Sequence, residues 1–243
     1  MQHDVDPVGI PCPLSGAALL AAWERGSAAP PPDRPLALLH AAGLAETEAA
    51  ALPLAARDLA LLSLHTRGFG ATLISFAACE ACGDRLEFTL PADAVAATLR
   101  AAEPACTLAH EGGTLRLRMA TARDVADAAA ATDLDAARRL LLARCAEATD
   151  TALPADLRDA ALARLEAMHE TAEISLALAC PACGARLAIQ FDIASFLWAE
   201  IRHAARRLLD EVHELAWAYG WPEDAILAMS AARRLAYLHR VRG

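Results

Sequence analysis

The chain contains no lysine and no asparagine, so all 22 of its basic residues are arginine. Alanine-rich composition beside this arginine use suggests GC-biased coding, and arginine number alone is therefore weak evidence for phosphate binding. A basic excess is also lacking. The formal net charge of −9 argues against a dedicated nucleic-acid binder, which usually carries a positive surplus. No stretch approaches about 18 uncharged apolar residues, so no membrane span is expected. The start, Met-Gln-His-Asp-Val-Asp, lacks the basic region of a signal peptide. Aromatic residues make up only 5 % of the chain. Neither a His-Glu-x-x-His helix, a glycine-rich phosphate loop nor a Gly-x-Ser-x-Gly elbow occurs, and no small-molecule substrate is implied.

Seven cysteines are present, an odd number that fits a secreted disulfide framework badly. Four of them form two copies of one motif, Cys79-Glu80-Ala81-Cys82-Gly83 and Cys180-Pro181-Ala182-Cys183-Gly184. Each copy lies between two strand-like runs, Thr72–Phe76 and Leu86–Phe88 in one case, Ile174–Leu178 and Leu187–Phe191 in the other. Two thiolates on a tight turn make half of a tetrahedral zinc site, and two such turns complete it. The glycine after each second cysteine permits a positive φ, which would aim its amide at a sulfur. Cys79, Cys82, Cys180 and Cys183 are thus the expected ligands of one Zn2+. Four thiolates close the coordination sphere, so structural rather than catalytic zinc is expected, in the reducing cytoplasm. Paired knuckles of this kind usually stand about 15–20 residues apart. The longer gap here requires an inserted subdomain. Cys12, Cys106 and Cys145 remain, and Cys145 in its leucine-rich run reads as a core thiol.

The fold class expected is α+β, mainly helical. A zinc-ribbon-like pair of β-hairpins is joined by the four cysteines and interrupted by an insertion. The divisions are an N-terminal helical segment (1–67), the first knuckle hairpin (68–92), an inserted hairpin and helices (93–170), the second knuckle hairpin (171–193) and a C-terminal helical hairpin (194–243). Ser15 can cap a first helix through Trp23, and Pro30-Pro31-Pro32 breaks it. A helix over 55–67 follows, with Leu59, Leu62 and His65 near one face. In the insertion, Thr107–His110 and Thr114–Met119 around Glu111-Gly112-Gly113 form a hairpin. Thr121 caps a helix, Thr132 or Asp133 caps another running to about Glu147, and Pro154 starts a third that ends near His169. From Ser195 to Tyr219 apolar residues recur at spacings of three and four, a single helical face. Gly220 ends that helix, and Pro222 with Glu223 and Asp224 begins the second arm. Trp198 is expected in the core. His213 reads as a packed helical histidine, and His203 and His213 are not spaced as a metal pair.

The tail carries Glu211-Val212-His213-Glu214-Leu215-Ala216, then Tyr219-Gly220-Trp221-Pro222-Glu223, then Arg233-Arg234-Leu235-Ala236-Tyr237-Leu238. With the two Cys-x-x-Cys-Gly knuckles, this pattern resembles the baseplate and hub-assembly proteins of T4-like contractile-tailed bacteriophages and related contractile injection systems. The match runs loosely from about His65 to the end and is most specific over 198–238. The resemblance implies non-enzymatic, structural or assembly work beside other baseplate, hub or tail proteins, in the cytoplasm or within a phage-tail-like particle. Trp221, placed at a corner and expected to face outward, and Arg233 and Arg234 are the expected partner-binding residues. The alternative class is a zinc-ribbon nucleic-acid-binding or regulatory module. Glu80, Asp84 and Glu87 around the first knuckle would repel phosphate.

Overall fold

The computed structural model describes residues 14, 16–110, 113–146 and 153–243. The chain is mainly helical, and among the described residues six strands pair into three separate antiparallel hairpins. In order, α1 (Ala17–Ala28), α2 (Arg34–Ala41), α3 (Glu46–Ala51) and α4 (Leu54–Phe69) precede the first hairpin, β1 (Thr72–Ala78) with β2 (Arg85–Pro91). Then come α5 (Ala92–Ala101), the hairpin β3 (Ala105–His110) and β4 (Gly113–Arg118), and the helices α6 (Ala122–Ala129), α7 (Leu134–Cys145) and α8 (Ala155–Glu170). The last hairpin, β5 (Ile174–Ala179) with β6 (Arg186–Phe191), leads into α9 (Ile193–Tyr219), α10 (Glu223–Leu227) and α11 (Ala231–Arg242). Among the described residues no helix is long and apolar enough to cross a membrane.

Two cores organise these elements. The larger joins both ends of the chain. Leu19, Leu38, Leu59 and Leu62 from α1, α2 and α4 pack with Leu197, Ile201, Leu208 and Leu215 of α9. The N-terminal helices and the C-terminal helices therefore share one interior. Gly26 of α1 lies so close to Trp198 that an added Cβ would stand 2.4 Å from its ring. Trp198 packs against this core as expected, with the Arg34 guanidinium 5.3 Å from its ring centre. His65 is buried between Phe69 and Phe196, its ring 5.5 and 5.2 Å from theirs. Burial holds this imidazole down to about 4 and so keeps it neutral.

The second core belongs to the insertion. Leu115 and Leu117 of β4, Leu142 and Cys145 of α7, and Leu157, Leu165 and Met168 of α8 close around Met119. Cys145 is the core thiol expected, and burial pushes it up to about 11. Thr121 caps α6 in a full capping box with Asp124. Burial alone would raise the Asp124 carboxyl. Hydrogen bonds from Arg118 (2.7 and 3.3 Å), from the Thr121 amide (2.9 Å) and from its hydroxyl (2.8 Å) outweigh that and hold it down to about 2. The insertion is tied to the main body at the start of α4, where the Leu54 amide donates to the Ala120 carbonyl at 3.0 Å.

Local punctuation follows the chemistry of single residues. Asp133, rather than Thr132, caps α7 through the Ala136 amide at 2.7 Å. Asp192 caps α9 by accepting from the Ala194 and Ser195 amides at 3.0 and 3.3 Å, which moves the helix start two residues ahead of Ser195. The C-terminal arm is corrected in one respect. It is not one helix after Pro222 but two, because Ser230 adopts an extended backbone and caps α11 through the Arg233 amide at 3.3 Å. Within the expected N-terminal helical segment, α2 and α3 are two short helices beyond the two that the residue pattern places. Ser15, Cys12, the turn residues Glu111 and Gly112, and the expected end at Glu147 lie outside the described residues.

Candidate metal centre

Both knuckles are built by the same local rules. In the first, the Cys79 amide donates to the Asp84 carbonyl at 2.8 Å and the Gly83 amide to the Cys79 carbonyl at 2.7 Å. The second repeats this, from Cys180 to Ala185 at 2.9 Å and from Gly184 to Cys180 at 2.8 Å. Gly83 and Gly184 take φ of 76° and 73°, the left-handed region that glycine enters most readily. One detail corrects the sequence expectation. The glycine amide closes the turn on a carbonyl and does not point at a sulfur. The left-handed step instead turns the following amide, that of Asp84 or Ala185, onto the second cysteine's sulfur.

The hairpins set these turns at one distance from the core. Leu73↔Leu90, Ser75↔Phe88 and Ala77↔Leu86 share one face of β1–β2, and Ile174↔Phe191, Leu176↔Ile189 and Leu178↔Leu187 share one face of β5–β6. Ala78 opposite Arg85 and Ala179 opposite Arg186 occupy the same register next to the turns. The hairpins form no common sheet. Cys79 and Cys180, with Leu86, Ala185 and Leu187, form the small apolar cluster between their tips.

All four sulfurs fall within 4.8 Å of one another. The short separations run between the knuckles, Cys79 to Cys183 at 3.7 Å and Cys82 to Cys180 at 3.7 Å. A metal–sulfur bond of about 2.3 Å in a tetrahedron requires sulfurs about 3.8 Å apart. A disulfide would require about 2.05 Å. Each short pair joins a buried first cysteine to an exposed second one, so the site has approximate two-fold symmetry. The donors are soft, which suits zinc or iron and not magnesium or calcium.

The thiols of Cys79, Cys82 and Cys183 do not share one acidity. The Cys79 sulfur accepts from the Cys82 and Ala81 amides and is held down to about 7. The Asp84 amide pulls Cys82 down, but the Cys183, Cys79 and Cys180 thiols and burial together push it up to about 12. Cys183 is raised as well, its Ala185 amide outweighed by burial and by Cys180 and Cys79. Four negative sulfurs at this distance repel one another, and a divalent cation at their centre is the charge that offsets it.

The remaining residues singled out in the sequence lie elsewhere. Trp221 is half-buried, contrary to its expected outward position. It stacks on Tyr219 at 4.4 Å and meets Tyr237 edge-on at 4.8 Å. Arg234 is only 7 % exposed; its guanidinium pairs with Glu211 at 2.8 Å and donates to the Met229 carbonyl at 2.7 Å. The burial follows from its place on the α11 face that meets α9, where Glu211 neutralises it. Arg233 stays exposed, 5.8 Å from the Tyr237 ring centre. His203 and His213 are exposed, so His213 is not packed. Trp217 is 87 % exposed, and a helical wheel places it opposite the apolar stripe of α9.

Comparison with protein-family profiles, curated proteins and solved structures finds no match to this chain.

Proposed function

We propose that the chain is a zinc-stabilised, non-enzymatic structural or assembly component of a phage-tail-like baseplate, from a contractile tail or injection system. The observation that carries the metal half is the four-cysteine cluster, whose 3.7 Å separations match the edge of a thiolate tetrahedron. Four protein sulfurs leave a four-coordinate ion no open position, which favours structural over catalytic metal. The metal ties two hairpins a hundred residues apart in sequence and closes the insertion into a loop anchored at both ends. In this reading the pair of hairpins is a zinc ribbon divided by a subdomain. The baseplate half rests on the resemblance of the knuckles and the 198–238 pattern.

Partners in this reading are other baseplate, hub or tail proteins. The corner between α9 and α11 offers exposed Arg233 and the open edge of Trp221, while Arg234 acts by holding α11 on α9 through Glu211. The test has two arms. Metal analysis of the purified protein is expected to give one zinc per chain; iron, with its visible thiolate absorption, would replace zinc in the proposal. Co-expression with the products of neighbouring genes is expected to retain tail-tube, spike or wedge proteins. Nucleic acid retained in their place would favour the ribbon as a nucleic-acid module and overturn the baseplate reading.

A further inference from the structure

The longest helix has two opposed faces. At about 100° per residue, Leu197, Ile201, Leu208, Val212 and Leu215 of α9 cluster on one side, and all are buried. The diametrically opposite side carries Arg202, Arg206, Asp210, His213 and Trp217, all exposed, with exposed Leu209 on its flank. Most of that line is what a solvated face should be. Trp217 is not. A tryptophan left 87 % exposed on a rigid helix keeps a large apolar ring in water that burial elsewhere would remove. The cations are also unspent. Among the described residues neither Arg202 nor Arg206 has a hydrogen bond or an ion pair. Arginine with tryptophan is the composition of an interface anchor.

Charge is divided along the chain in the same sense. Residues 194–243 hold seven arginines against six acids, whereas residues 1–193 hold fifteen against twenty-five. The terminal helices are thus near charge balance in a chain of net −9, and the outer face of α9 itself sets Arg202 and Arg206 against Asp210.

From these observations we infer that the outer face of α9 docks an acidic amphipathic helix of another protein. Its apolar residues cover Trp217 and Leu209, and its carboxylates meet Arg206 and Arg202, about 16 and 22 Å along the axis from Trp217. The occupant is a helix because the receiving groups recur at spacings of three and four over four turns, which another helix matches. Nucleic acid fits poorly. Asp210 interrupts the cations, and Trp217 is a single stacking platform rather than a series. A second copy fits poorly as well, since two-fold antiparallel pairing of these faces sets Asp210 against Asp210. The surface lies apart from the cysteine cluster and does not depend on the metal or the baseplate reading.

The test uses the full chain as bait for a displayed library of helical peptides about 20 residues long. Leucine occupies the apolar positions, and glutamate, lysine and glutamine vary elsewhere. Recovered peptides are expected to carry glutamates two to four turns from a pair of apolar anchors. A synthesised recovered peptide is expected to bind Trp217→Ala and Arg206→Glu at least tenfold more weakly than the unaltered chain, with Arg206→Lys retaining part of the affinity. Both positions are exposed, so melting temperature and metal content should not change. The inference is overturned if no peptide is recovered or if binding ignores Trp217→Ala. It is equally overturned if a 20-nucleotide oligothymidine binds and is lost with Arg206→Glu, or if light scattering finds a dimer that Trp217→Ala dissolves.

Discussion

The two knuckles compare as a repeated device in unlike surroundings. Both place a buried first cysteine, an exposed second cysteine and a left-handed glycine in the same order, with the same two backbone hydrogen bonds. Outside that frame they diverge. The first carries exposed Glu80, Asp84 and Glu87, and its strand β1 leaves Ile74 and Phe76 about half exposed, with Arg85 laid 3.9 Å over the Phe76 ring. The second has Pro181 in place of Glu80, alanines at 177 and 188 where the first has Phe76 and Glu87, and a root fixed by buried Ile174 and Phe191. What the two share is what holds four sulfurs in a tetrahedron. What differs is facing outward or at the roots, where the metal imposes nothing.

Metal removal should break the comparison most severely. Chelation of the purified protein is expected to lower stability by about 4 kcal/mol relative to protein kept at a free metal level a thousandfold above Kd. Cys79→Ser and Cys180→Ser should lower the melting temperature equally, and by more than Cys82→Ser or Cys183→Ser. The reason is that the first thiols are buried and a serine hydroxyl there loses its partner. A marked inequality between Cys79→Ser and Cys180→Ser, read by thermal unfolding and metal analysis together, would mean that one turn is formed before metal arrives.

Glycine replacement is the finer probe. An added Cβ at Gly83 or Gly184 meets nothing within 4 Å, so the cost is purely that of the left-handed backbone. Gly83→Ala and Gly184→Ala should each lose about 1 kcal/mol in denaturant unfolding of the metal-loaded protein, with little change in metal content. Different losses at the two sites would show that the turns are not equivalent in energy, whatever their geometry.

The smallest expected effect sharpens the contrast at the first turn residue. The Glu80 amide donates no backbone hydrogen bond among the described residues, and Pro181 occupies the matching place in the other knuckle. Glu80→Pro is therefore expected to gain about 0.5 kcal/mol by restricting the unfolded chain. A loss of stability would mean that the backbone at Glu80 departs from that at Pro181.

Much of this was legible from residues alone, and for stated reasons. Local rules act over a few residues. The Cys-x-x-Cys-Gly turns, the Thr121 capping box, the Gly220 stop and the α9 stripe each carry their signal within one element. The pairing of the knuckles across a hundred residues was legible only because the motif is written twice. The helices α2 and α3 were not, since a short alanine-rich segment after a proline run lacks a period long enough to read. The α10–α11 break depends on one serine cap.

Amino-acid sequence by itself determined which four cysteines could converge, which turns would bear them and which side of α9 would be apolar. Those follow from backbone sterics and from side-chain spacing, which travel with the chain. Tertiary structure alone decided the exposure of particular side chains. Trp221 and Trp217 lie four residues apart around the same corner, yet one stacks between Tyr219 and Tyr237 and the other stands in solvent. Arg233 and Arg234 are adjacent, yet only the second meets Glu211 across the helix pair. Burial is set by what another element brings to the same place, and no local pattern encodes that.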